Sequence, residues 1–458
     1  MTKHSSLFTA RQLLALATLS ELVKIVQERV RRDAVAAAMA DDNARIDAGG
    51  TGARAYADAI ATYLSFAVSK AADYGNTICM WNSSNANVGH LFTKQAIPMS
   101  WDFVESNPLQ SGLAFDEISK GIAEAFDSVS CKTKGIATQL DAGAAAGAPS
   151  ASLISTDPPY YDNVPYADLS DFFYVWLRNS LGDIYPMLFS TLLVPKQQEL
   201  VADPFRHGGR ENAERFFEEG LGQVFARMRD LQSPDYPVTI YYAFKQAESD
   251  QDDSGGNTLL SGLASTGWET MLEGLVNTGF AITGTWPMRT ERSARSRGIG
   301  SNALASSVVL VCRPRSKSAP LATRREFLSA LNSDLPDALK KLQHGNIAPV
   351  DLAQAAIGPG MAVFSRYTKV IESDGSPMRV RTALQLINQA LDEVLAEQES
   401  EYDADTRWAL AWFEQFGINE GPYGTAETLQ SQEHFGQRNG RGRSRRLARR
   451  EGQAASSR

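Results

Sequence analysis

The residues of this chain best suited to chemistry stand together at Asp157-Pro158-Pro159-Tyr160, within the run SLISTDPPYY. An apolar β-run leads there into an acid, two prolines and two aromatic residues. In an open α/β sheet ligands bind beyond the carboxyl ends of the strands, so an Asp at a strand tip stands where reactions take place. The acceptors suit a planar exocyclic amine such as that of adenine, whose lone pair is delocalised into the ring and which must be held and polarised before it reacts. Asp157 can accept one N–H and the Pro158 carbonyl another, and the two prolines stiffen the loop that carries both. A base inside a duplex cannot reach such a loop and must be flipped out. Tyr160 offers a face on which the lost stacking is partly recovered, worth on the order of 1–3 kcal/mol per base. Tyr161 is either a second wall or a core residue. The bare tetrapeptide is also an ordinary turn sequence, because Asp-Pro starts turns readily. Its place directly after an apolar run and before an aromatic helix favours the amine-binding reading.

The elements that must position this loop alternate in type. Residues 7–39 and Ala53 to Ala72 repeat apolar residues at three and four spacing and predict amphipathic helices, separated by Gly49-Gly50-Thr51-Gly52. From there the texture is α/β, with β-runs NTICMW, KGIATQL, SASLIST, YPVTIYYAF, FAITGTWPM and ASSVVLVCRP. Helical stretches at Ser170 to Leu181, Asn212 to Leu231 and Gly267 to Thr278 fill the gaps as βαβ crossovers require, which predicts a mostly parallel sheet. The last two strands are joined by a long Arg/Ser/Gly-rich connection and are expected to pair antiparallel. Arg324 to Ser400 reads as a helical appendage, interrupted by IGPGMAVFSRY, where the Gly-Pro-Gly predicts a turn. Thr406 to Phe416 adds a Trp-rich amphipathic piece. The expected organisation is therefore a helical region over 1–72, a catalytic α/β part over 73–320, a helical region over 321–430 and a basic tail over 431–458.

With 458 residues, 43% of them hydrophobic, the chain can bury a substantial core. No run approaches the roughly eighteen apolar residues that a membrane span needs, and no small-residue cleavage site follows the N-terminal apolar stretch. A cytoplasmic protein is the expectation. Cys79, Cys131 and Cys312 are too far apart in sequence to form a neighbouring metal knuckle, so no metal site is expected. The formal charge of −8 argues against a uniformly basic DNA-coating protein, yet Arg438 to Arg450 carries seven arginines and no acid. That stretch has almost nothing apolar to bury and is expected to be disordered. It serves equally as a phosphate-binding arm or as a solubilising tail.

The run TDPPYYDNVPYADLSDFFYVWLRNSL resembles the amino-methyltransferase motif of the adenine-specific DNA methylases described as containing a zinc ribbon, a bacterial and archaeal family often found near phage-defence genes. HLFTKQAIPMSWDFVESNP and IGPGMAVFSRY are similar to the C-terminal half of that family, and the similarity extends from Leu7 to about Gln430. It implies an α/β fold, a Rossmann-like S-adenosylmethionine-dependent methyltransferase sheet with helical additions. Asp157, Pro158, Pro159 and Tyr160 would then be the catalytic loop acting on adenine in DNA. Asp141, ending KGIATQLDA, matches the position that contacts the adenine of S-adenosylmethionine, although a strand-end Asp is also a common turn residue. The family's Gly-rich cofactor turn, its zinc ribbon and its N-terminal domain have no counterpart before Ser155. Asp203-Pro204-Phe205, followed by Gly208-Gly209, imitates that turn but lies after the catalytic loop with no strand leading into it. The expectation is an incomplete sheet lacking its first strands, completed by an N-terminal methylase fragment or subunit that carries the cofactor loop.

Two other functions fit the same residues. One is N-methylation of an RNA base or of a protein amide; the other is a non-catalytic DNA-binding or specificity subunit. Lys245, ending YPVTIYYAFK, and Arg292, in the connection that also holds Arg289, Arg295 and Arg297, are candidate phosphate contacts or solvated surface residues. The helix aromatics Phe172, Phe173, Tyr174 and Trp176 read as core.

Overall fold

The computed structural model of the chain describes residues 4–92, 97–110, 112–129, 133, 135–144, 151–161, 164–243, 266–289, 306–344, 349–399, 408–409 and 412–413. These form two compact units, one of residues 1–140 and 162–206, the other of residues 141–161 and 207–458. The fold is mixed α/β. No helix among the described residues is long and apolar enough to cross a membrane.

The first unit is helical. Helix α1 (Ala10–Ala36) starts at a capping box, in which the Gln12 backbone N–H donates to Thr9 Oγ1 (3.2 Å) and the Thr9 backbone N–H donates to Gln12 Oε1 (2.8 Å). Its buried Leu16, Ser20 and Val23 follow the four-then-three spacing of one helix face. That face meets α2 (Ala53–Tyr74), whose buried Ala53, Ala57, Ala61 and Ala67 let the two backbones approach closely. A two-residue hairpin, β1 (Trp81–Asn82) with β2 (Asn87–Val88), and α3 (Phe115–Ser128) follow. Helix α4 (Tyr166–Leu181) packs on α1 and α2, stacking Phe172 on Phe8 (5.6 Å between centroids) and joining Ser180 to Ser20 through their buried hydroxyls (2.7 Å). The aromatic helix is thus core, as its composition indicates. The unit ends within α5 (Pro204–His207) at Arg206, which is bound by Asp168, Glu199 and Asp203.

The second unit holds a four-stranded sheet in the order β3 (Ser155–Thr156), β4 (Val238–Ala243), β6 (Ser306–Pro314), β5 (Phe280–Arg289). Helix α6 (Arg210–Leu231) leads into β4, and α7 (Thr266–Asn277) into β5. β3 and β4 are parallel, while β6 is antiparallel to both of its neighbours, β4 and β5. The sheet is therefore mixed, not mostly parallel. The antiparallel hairpin expected of the last two strands is present. On one face Val238, Ile240, Tyr242, Val308, Leu310, Cys312, Phe280 and Ile282 are all buried, whereas on the other Val309 and Ser307 are buried but Thr239, Tyr241 and Val311 are only partly covered and Trp286 is exposed. This alternation is the mark of a sheet packed chiefly on one side.

Beyond the sheet come β7 (Leu321–Thr323), α8 (Arg324–His344), α9 (Pro349–Ser365), β8 (Lys369–Ile371) and α10 (Val380–Glu399), with β7 and β8 paired in parallel. Gly358-Pro359-Gly360 lies inside α9 and is not the expected turn. A Cβ on Gly358 would overlap the Thr285 side chain of β5, and one on Gly360 would overlap Ile387 of α10. The glycines here serve close approach of a helix to its neighbours, a role that local sequence does not distinguish from chain reversal. At the end of α9 the buried Ser365 Oγ accepts the Ile282 N–H (2.8 Å), beside the register shift that interrupts β5 between Ile282 and Gly284. Two expected strands also differ. Residues 135–140 of KGIATQL form no strand, and NTICMW contributes only β1, outside the main sheet. The basic tail, Lys245 and Arg292 lie outside the described residues.

Replacing Gly358 with Ala should destabilise the fold by about 1–3 kcal/mol, the usual cost of overfilling a packed contact, measured by urea denaturation. Burial pushes the Cys79 thiol up to about 11 and the Cys312 thiol up to about 12. Since only the thiolate attacks, a Cys131→Ser variant at pH 8 should react with an aromatic disulfide reagent only as it unfolds. Fast reaction of the native protein would show that these thiols are not shielded.

Candidate functional site

Asp157 follows Thr156 at the carboxyl end of β3, in the second unit. Ser152 to Thr156 tracks the chain leading into β4: the Ser152 N–H donates to the Leu231 carbonyl (2.9 Å), the Ser233 N–H to the Ser152 carbonyl (2.8 Å) and the Thr239 N–H to the Ile154 carbonyl (3.0 Å). These bonds fix where the strand stops. Asp157 is exposed, Pro158 is buried, and Pro159, Tyr160 and Tyr161 are half-buried.

Two aromatic contacts hold the loop. The Tyr160 hydroxyl donates to Asp157 Oδ1 (2.8 Å), and its ring meets Tyr242 of β4 edge-on (5.2 Å, 78°). Tyr242 in turn packs on Trp268 at the start of α7 (5.4 Å). Tyr161 meets Phe217 of α6 edge-on (5.2 Å, 77°) and hydrogen-bonds the Glu214 carboxylate. Arg210 (3.0 Å) and then Tyr161 hold that carboxyl below its ordinary range. Tyr161 adopts φ = 37°, a left-handed conformation costly for a bulky side chain. Gly267 makes room for it, since a Cβ there would stand 2.9 Å from both Tyr161 Cβ and Tyr242 Oη. A strained residue persists only where its surroundings over-determine it, and such strain clusters at functional loops.

Asp141 lies in the same unit but in a local turn. Its Oδ1 accepts the Gly143 N–H (2.8 Å), and no strand precedes it over residues 135–140. Gly143 lies against Gln223 and Val224 of α6. Phe217 and Val224 share one face of that helix two turns apart, so the Asp141 turn and Tyr161 touch it at points about 10 Å apart along its axis. The look-alike Asp203-Pro204-Phe205 enters α5, and Asp203 is engaged by the Phe205 N–H (2.8 Å) and by Arg206 (3.3 Å).

Sequence reasoning missed Tyr242, Gly267, Trp268, Glu214 and Phe217. Tyr242 carried a usable signal, because the carboxyl end of the neighbouring parallel strand borders any site at the end of β3. Gly267-Trp268 gave only a helix start.

Residues 403–439 match the family described as Domain of unknown function (DUF8807). Trp408 and Trp412, within that match, stack on each other (5.5 Å, 19°). No curated protein and no solved structure matches the chain.

Gly267→Ala should lower stability by about 1–3 kcal/mol through the crowding of Tyr161 and Tyr242, read from denaturant melts followed by tryptophan emission. Unchanged stability would show that the loop is not held by this contact.

Proposed function

We propose that this chain carries the target-base half of an S-adenosylmethionine-dependent DNA adenine-N6 methyltransferase, built on a Rossmann-like sheet. The observation that carries the reading is Asp157, an exposed carboxylate at the end of a parallel strand, followed by a stiff Pro-Pro turn and hydrogen-bonded to an aromatic residue three positions on. In this reading Asp157 and the Pro158 carbonyl accept the two N–H groups of the amine and fix its plane. The Tyr160 hydroxyl already occupies Asp157 Oδ1, so an entering amine takes over that hydrogen bond and frees the ring to stack on the base. The strand order adds support. A final strand slotted antiparallel between its two predecessors, as β6 is between β4 and β5, suits the closing half of a methyltransferase sheet.

The described residues do not by themselves make a full cradle for S-adenosylmethionine. Asp141 is the one candidate contact, and no Gly-rich turn follows a strand ahead of β3 among them. Among the described residues β3 is also the edge strand of its sheet, with Leu153 67% exposed on the approach to it. A separate methylase chain carrying the cofactor turn and pairing beside β3 would supply both. The same deficit favours a second reading, a DNA-binding subunit without catalysis of its own.

Purified chain, alone and co-expressed with the reading frame upstream of its gene, should be assayed with labelled S-adenosylmethionine on adenine-containing DNA. The expected product is N6-methyladenine, lowered about a hundredfold or more by Asp157→Ala and less by Tyr160→Ala. Cofactor binding and methyl transfer absent under every condition, with DNA binding intact, would leave the non-catalytic subunit. RNA and protein substrates run in parallel separate the remaining N-methyltransferases.

A further inference from the structure

The strand register carries the site further across the sheet. β6 is antiparallel to both β4 and β5, so β5 runs in the same direction as β3 and β4, and its carboxyl end lies on the Asp157 edge. Thr156, Ile240, Leu310 and Thr285 are successive partners and make one row. The next row, level with Asp157, runs Tyr241, Val309, Trp286. Three inter-strand spacings separate β3 from β5, about 14 Å. At 3.4 Å per nucleotide along one strand of B-DNA this is about four base steps.

On this row Trp286 is 65% exposed, and Met288, two residues on and on the same face, is 45% exposed. Val309 between Tyr241 and Trp286 is only 5% exposed, so the indole stands out beside a closed position. Tyr241 is half-buried. An exposed indole flanked by a thioether on a sheet offers a flat, sequence-tolerant surface for stacking a base. Charge decides between a nucleic acid and an apolar protein surface as the occupant. Residues 289–297, which continue the chain from this strand end, carry four arginines and one glutamate in a protein of net charge −8. That local reversal suits a polyanion.

We propose that Trp286, assisted by Met288, is a stacking platform for a nucleotide of the DNA strand that presents its adenine at Asp157, a few nucleotides from the target base. The proposal deepens the reading of Asp157 as the target-base site, but it is tested without that chemistry. A short oligo(dT) has no adenine to methylate and reads the platform alone. It should quench the tryptophan emission of the full chain, with an affinity that falls as salt rises. Trp286→Leu, at an exposed position, should keep the wild-type circular dichroism and melting temperature while removing much of the quenching. It should weaken binding about fivefold to a hundredfold. Trp286→Phe should retain most of the affinity.

Wild-type binding by Trp286→Leu, or no binding of oligo(dT) by the wild-type chain, overturns the platform. Loss of self-association in Trp286→Leu with oligo(dT) binding intact overturns it in favour of a protein interface. Methyl transfer without Trp286-dependent binding removes the platform alone. Trp286-dependent binding without methyl transfer to any adenine removes the methylase reading and leaves the platform standing.

Discussion

The short parallel ladder between Ser155-Thr156 and Thr239-Ile240 is the constraint on which the candidate site depends. It sets the point at which the chain stops being a strand, and Asp157 is the next residue. Only two residues of β3 pair, but the Ser152 and Ser233 backbone bonds on its amino side add to the registration. β4 itself is held through six partners by β6, and β6 by β5, so the position of one carboxylate is referred through the whole sheet. A slip of one residue at β3 would turn Asp157 to the opposite face.

Rigidity elsewhere in the unit serves that position. α9 comes close enough to β5 for a glycine to be needed at 358 and close enough to α10 for one at 360, and Ser365 bonds the backbone where β5 changes register. Near the loop, Gly267 takes the same part on a smaller scale, making space for a tyrosine at positive φ instead of for a helix. Tyr160 and Tyr161 are adjacent in sequence but their rings meet different elements, one Tyr242 of β4, the other Phe217 of α6. The loop is therefore clamped from both sides, and its two prolines lie ahead of the clamp.

Local pattern made the helices legible, because apolar spacing of three and four is a property of a single segment; α1, α2, α6 and α7 all stand where that spacing puts them. The three long strands of the sheet, β4, β5 and β6, were legible for the same reason, as was the hairpin implied by the connection between the last two. KGIATQL has strand composition but no pairing partner among the described residues, and composition cannot report a partner. Gly358-Pro359-Gly360 misled because its reason lies in Thr285 and Ile387, far away in sequence. At the site Asp157 to Tyr161 were visible as a motif, whereas Tyr242, Trp268 and Glu214 become neighbours only when the sheet and its helices are assembled.

The path of the chain has a consequence for how the second unit forms. It leaves that unit after Tyr161 and returns at His207, having contributed α4 to the core of the first. Pairing Ser155 with Thr239 therefore closes a loop that contains a whole segment of another folding unit, whereas the β5–β6 hairpin and the packing of α8 on α9 involve segments much closer in sequence. Closing a long loop costs entropy before the contact returns any, so contacts of this separation are slow to form. Asp157 therefore owes its address to the pairing of greatest sequence separation in the sheet.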